Sequence, residues 1–237
     1  MIKFLKNLCC LAILILAQSV NAQDEINPVR LPDGIKIIGI GDQEPGIQGD
    51  IIYDNTTLTG FWLPPPAGAF PIEIADDVIL PDPSLGTAHV NGFKFSYNQP
   101  NTASFDSVVN FYGALDPDGS DGPDQSSAVA SFLLPGLPGG GIYTVTVDLA
   151  VGHADFDWPA STASDATSLN WVGFTFSDSG IGAGLLTATG GGSHDIFWSN
   201  RDLNPPYDSG GGNGYFWFFT GHFPEASFYM RILGYVN

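Results

Sequence analysis

Basic residues are scarce in this 237-residue chain: seven Lys+Arg stand against 25 Asp+Glu, a formal net charge of −18. Nucleic acid and anionic membranes are bound by clustered Lys and Arg that release counterions, so both are poor partners for such a chain. Cysteine is scarcer still. The two present, Cys9 and Cys10, are adjacent and lie within the first 22 residues. Beyond them the chain has no cysteine to form a disulfide or act as a nucleophile. There is no helical periodicity, no Gly-x-Ser-x-Gly elbow and no zinc-type histidine spacing, His89, His194 and His222 being scattered singletons. No internal repeat is visible, which argues against a propeller or solenoid.

The one long apolar run is N-terminal. Lys3 and Lys6 precede the stretch from Leu8 to Ala17, and Val20-Asn21-Ala22 offers small residues at a cleavage site. That order is the pattern of a secretory signal peptide, residues 1–22, cleaved after Ala22. The run is too short to span a bilayer and no second one follows. The expected mature chain keeps Arg30, Lys36, Lys94, Arg201 and Arg231 against all 25 acids, a net charge of −20 (5 − 25). An acidic surface of this kind suits a secreted or cell-surface protein and attracts divalent cations.

Aromatic residues and turn formers are abundant: 17 Phe, 8 Tyr, 5 Trp, 30 Gly and 18 Pro. Without disulfides, stability must come from burying those rings. Period-2 alternation recurs in short runs, clearest from Ile142 to Ala150 and from Trp171 to Phe176, with Gly, Pro, Asp and Asn clusters between them. The same reading gives strands at Ile51–Asn55, Ile72–Leu80, Val90–Tyr97, Val108–Tyr112, Ala128–Leu134, Gly184–Ala188, Ile196–Trp198, Tyr215–Phe219 and Phe228–Val236. Pro135-Gly136 is read as breaking the fifth of these, Ala128–Leu134. Phe61 to Pro66 is read as an extended loop or edge, because three prolines cannot donate ladder hydrogen bonds. The predicted fold is an all-β antiparallel sandwich, jelly-roll-like, as a single domain over 50–237. A Pro/Gly-rich segment, 23–49, precedes it with one short apolar strand, Ile35, Ile37, Ile38 and Ile40.

Candidate sites follow from residue chemistry. Asp116, Asp118, Ser120, Asp121 and Asp124 crowd one loop and offer oxygen ligands, with Ca2+ as the cofactor they would hold. The loop lacks the glycine and glutamate positions of an EF-hand, and a solvated turn is the competing reading. His153, Asp155 and Asp157 share a face if their segment is extended, which is ligand or acid–base chemistry. Asp76-Asp77 and Asp155/Asp157 are the carboxylate pairs that glycoside chemistry would require. Trp62, Trp158, Trp198 and Tyr207 sit beside turn residues and are expected as loop aromatics that stack on sugar rings; the competing reading plugs them into the core. Asn55-Thr56-Thr57 matches a glycosylation sequon.

Several phrases, taken in order, resemble a family of uncharacterised bacterial exported β-sandwich domains, often found in proteins with C-terminal sorting tags. They are Tyr53-Asp54-Asn55, Ile74-Ala75-Asp76-Asp77-Val78, Phe93-Lys94-Phe95-Ser96-Tyr97, Val109-Asn110-Phe111-Tyr112, Trp171 to Phe176, Gly184-Leu185-Leu186 and Phe228 to Ile232. The resemblance covers residues 50–237 and implies a sandwich and export, but no activity. No sorting tag follows the last strand here. The expected function is a secreted, non-catalytic binding or surface-matrix module, with extracellular polysaccharide as ligand. The alternative is a self-assembling fibre subunit in which the Ile35–Ile40 strand pairs with another copy; pairing with the chain's own sheet is the competing reading of that strand, and a contiguous segment favours it.

Overall fold

In the computed structural model the described residues are 28–30, 35–39, 49–63, 72–80, 86–113, 122–124, 128–159, 170–176, 183–188, 196–199, 215–218 and 227–236. They form sixteen strands: β1 Val29–Arg30, β2 Ile35–Gly39, β3 Asp50–Asn55, β4 Leu58–Leu63, β5 Ile72–Asp77, β6 Thr87–Gln99, β7 Phe105–Tyr112, β8 Ala128–Leu137, β9 Gly141–Asp148, β10 Phe156–Pro159, β11 Trp171–Phe176, β12 Gly184–Ala188, β13 Ile196–Ser199, β14 Tyr215–Phe218, β15 Ser227–Phe228 and β16 Met230–Val236. A 3-10 turn at Ala150–Gly152 is the only helical element among the described residues. The protein is an all-β sandwich of two sheets, as the alternation predicts.

The first sheet runs β1-β8-β7-β11-β5-β13-β14. The second is organised on β6. β9 pairs with Gly92–Gln99 and β10 with Thr87–Val90 along one edge of β6. β16 pairs with Ala88–Phe95 along the other edge, and β12 continues from it at Tyr97–Asn98. β2 lies outside β9, and β3 outside β16. Among the described residues all strand pairings are antiparallel except β1 with β8.

The core between the sheets is aromatic. Phe93 of β6 packs edge-on to Phe111 of β7 at 5.3 Å, and Phe111 meets Phe156 at 5.0 Å and Trp158 at 5.3 Å. These rings tie both sheets together without disulfides, each contributing large apolar burial and favourable edge-to-face geometry. A truncation such as Phe111→Ala would cost roughly 3–5 kcal/mol.

Three departures from the sequence reading have physical causes. β4 makes Leu58–Leu63 a strand, paired with β12 alone among the described residues at Leu186↔Trp62 and Leu185↔Leu63, so Phe61–Leu63 takes the edge alternative and not the loop. The prolines that suggested it begin only at Pro64. β8 runs through Pro135-Gly136 rather than ending there, because a bulge absorbs the pair: Ser107 matches Leu134 and Phe105 matches Leu137. Gly136 takes φ 67° in it and donates its N–H to Asp106 Oδ1 at 2.8 Å. β10 is also extended, although Pro159 closes it.

The N-terminal strands join both sheets. β8 and β9 are consecutive but belong to different sheets, and each would otherwise be an edge. β1 pairs with β8, and β2 pairs with β9 through Ile35↔Val147, Ile37↔Val145 and Ile38↔Thr144. Ile37 packs against the core. The strand that could have joined another copy is therefore paired within its own sheet; Ile40 lies outside the described residues.

Candidate functional site

The carboxylates of Asp155 and Asp157 converge on a residue remote in sequence, His89. Register explains this. His89 of β6 stands opposite Asp157 on β10 and opposite Tyr235 on β16. Its neighbours Ala88 and Val90 point into the core, so its ring points outward. On β10, Trp158 is buried while Asp157 is exposed on the other face, as is Asp155 just before the strand.

Two irregularities shape the surface. Leu233 pairs with Gly92 but Gly234 with Val90, so Asn91 is an extra, bulged residue on β6. A Cβ on Gly234 would strike the His89 carbonyl oxygen, so glycine is needed for β16 to approach β6 this closely. Across β6 the chain leaves the ladder between β9 and β10. Leu149 N donates to the carbonyl of Asn91 at 2.9 Å, and the chain turns through the 3-10 segment with His153 at φ 52°. It returns at Asp155, beside His89.

In the resulting cluster, His89 Nδ1 lies 2.8 Å from Asp157 Oδ1 and Nε2 lies 2.9 Å from Asp155 Oδ2. The ring stacks on Tyr235, centroids 4.8 Å apart and planes at 29°. A neutral imidazole has only one N–H, so satisfying both carboxylates requires the imidazolium. The hydrogen bond that Asp157 accepts from the ring is the main cause that raises the His89 pKa above the ordinary 6.5, with Asp155 adding to it against an opposing desolvation effect. The side chains are graded in exposure: His89 19%, Asp155 39%, Asp157 72%. Tyr235 is 44% exposed.

The sequence paired these aspartates with the wrong histidine. His153 is exposed at the left-handed turn position, and no contact joins it to either carboxylate. The two acids also occupy opposite edges of the His89 ring, so the three groups do not converge on one point as metal ligands would. No group of His, Cys, Asp or Glu suited to a metal ion occurs among the described residues.

The other expected sites are placed as follows. Trp158 and Trp198 are not loop platforms: they are 0% and 1% exposed, each within a strand. Trp158 donates its indole N–H to the carbonyl of Tyr112 at 2.8 Å. Trp198 stands opposite Ala75 and forms a second buried cluster with Ala75, Tyr112 and Trp171 on the outer face of the first sheet. Neither ring has a free face, so neither can stack on a sugar. Trp62 is half-buried in β4, and Tyr207 lies outside the described residues.

Of the acidic loop, Asp116, Asp118, Ser120 and Asp121 lie outside the described residues, and Asp124 is half-buried. Its end is anchored over the second cluster: Gly122 packs against the Trp198 ring. Asp124 also contributes to raising the Tyr112 pKa, which burial and Glu73 raise more strongly. Beneath it Glu73 lies over Gly173, where any Cβ would collide with its carboxylate. Glu73 Oε1 accepts from Tyr112 at 2.7 Å and from Asn110 at 2.8 Å, and Ser131 in turn donates to Asn110. This network was not anticipated, since its members come from three strands.

Asp76 and Asp77 do not form a pair. Both are fully buried, and strand alternation sends them to opposite faces. Asp76 Oδ2 accepts the Phe228 N–H at 2.6 Å. Asn55 is fully buried too, which removes its sequon from any modifying surface. Comparison with family models, curated proteins and solved structures returned no match.

Proposed function

We propose that this chain is an exported, non-catalytic module that binds extracellular polysaccharide through the surface formed by Tyr235, His89, Asp155 and Asp157. The observation that carries the reading is the part-exposed Tyr235 ring stacked on His89, whose two ring nitrogens each hold one aspartate carboxylate. A sugar ring stacks on an aromatic face through its C–H groups, while its hydroxyls donate to oriented acceptors. Here each aspartate commits one oxygen to His89, on side chains 39% and 72% exposed that have a second oxygen to offer. Locking those side chains in advance lowers the ordering cost of binding. The acidic composition and the N-terminal leader agree with work outside the cell.

The test is affinity electrophoresis through gels containing different polysaccharides, with the mature protein and a Tyr235→Ala variant. The parent should be retarded by at least one glycan. The variant, with an unchanged melting curve, should lose at least tenfold in affinity, about 1.4 kcal/mol. Equal retardation of both would remove the site from the proposal.

A further inference from the structure

We propose that this site selects glycans bearing free amino groups, polymers of 2-amino-2-deoxyhexose, over their N-acetylated and uronate counterparts. The inference rests on the glycan-binding reading above and names its ligand class. It starts from the donor inventory. Both ring nitrogens of His89 are engaged, by Asp155 and Asp157 at 2.9 and 2.8 Å. What the cluster has left to offer is therefore mostly acceptor: the second oxygen of each carboxylate, on side chains 39% and 72% exposed, beside the part-exposed Tyr235.

Charge points the same way. One imidazolium against two carboxylates leaves the cluster net negative, within a chain of formal charge −18. A sugar ammonium brings three N–H donors and the complementary charge to these oxygens. An N-acetyl group brings one donor and no charge. A uronate carboxylate meets like charge and a nearly donor-free surface, which excludes it by repulsion as well as by missing bonds. Asp157, with its side chain 72% exposed, is the more accessible of the two acceptors.

The experiment is calorimetric titration of the mature protein at about pH 5.5, where sugar amines and His89 are protonated. The probes are soluble oligosaccharides of chitosan, of chitin and of alginate. The expected result is chitosan bound about tenfold or more tightly than chitin, with no heat from alginate. An Asp155→Asn/Asp157→Asn variant should lose the preference for chitosan, whereas Tyr235→Ala should weaken chitosan and chitin alike. A polycation drawn merely to an acidic surface would bind the double variant almost as well, and that result overturns the proposal. Equal, Tyr235-dependent binding of chitin and chitosan overturns amine selection and leaves the glycan reading standing. Silence with all three probes from protein that melts cooperatively overturns both.

Discussion

His89 shows how much one residue's behaviour depends on its strand neighbours. Its folded pKa lies above the unfolded value, so its ion pairs stabilise the native state fully below about pH 6.5. That contribution is lost as pH rises through the raised folded value. The effect is small because the groups are exposed, within the ~0–1 kcal/mol usual for surface pairs. NMR titration of the imidazole should give a pKa above 6.5 in the parent, falling toward 6.5 in Asp157→Asn; an unchanged value would show that Asp157 does not hold the ring. Trp158 supplies a contrasting residue-scale prediction. Trp158→Phe keeps a buried ring but leaves the Tyr112 carbonyl without its donor, at a cost of about 1–3 kcal/mol in urea denaturation. A change within a few tenths would mean water replaces the indole.

Elements were largely legible in the sequence, and the reasons differ from strand to strand. β9 and β11 alternate so regularly that their register faces could be read directly. β4 and β10 were obscured by the prolines that follow Leu63 in sequence and by Pro159, which ends β10 instead of excluding it. The site was half legible: Asp155 and Asp157 share a face on period-2 grounds alone. Their partner was not, because only the β6–β10 register brings His89 to them across 66 residues. Burial of Trp158 and Trp198 was the competing reading and it holds; the flanking turn residues could not decide it, because they say nothing about what packs on a ring from another strand. Gly234 carries the element-scale prediction. Gly234→Ala should push β16 from β6 at His89, lower stability by roughly 1–3 kcal/mol and loosen the Tyr235 stack. A thermal melt with Tyr235 fluorescence checks both, and an unperturbed melt would mean the backbones separate without cost.

At the scale of the whole molecule, stability rests on an aromatic core and on edges covered by the chain's own N-terminal strands. β1 and β2 cover β8 and β9, the two edges that would otherwise invite pairing with another chain. Removing residues 23–39 should therefore leave the sandwich less stable and prone to aggregate, while the chain that retains them stays monodisperse in light scattering. Ordered fibres from the longer chain alone would instead make trans pairing of β2 the dominant arrangement. The acidic net charge acts at this scale too, keeping copies apart and favouring ligands that are neutral or cationic.

Mapping the ligand on the protein tests the central claim most directly. A 15N-labelled mature chain titrated with chitosan oligosaccharide should show saturable amide shifts confined to the neighbourhoods of His89, Asp155, Asp157 and Tyr235. These three segments meet only in the folded sheet, so coincident shifts at all of them identify the site. Saturable shifts centred elsewhere, around Trp62 for example, or no shifts at saturating glycan, would contradict the account.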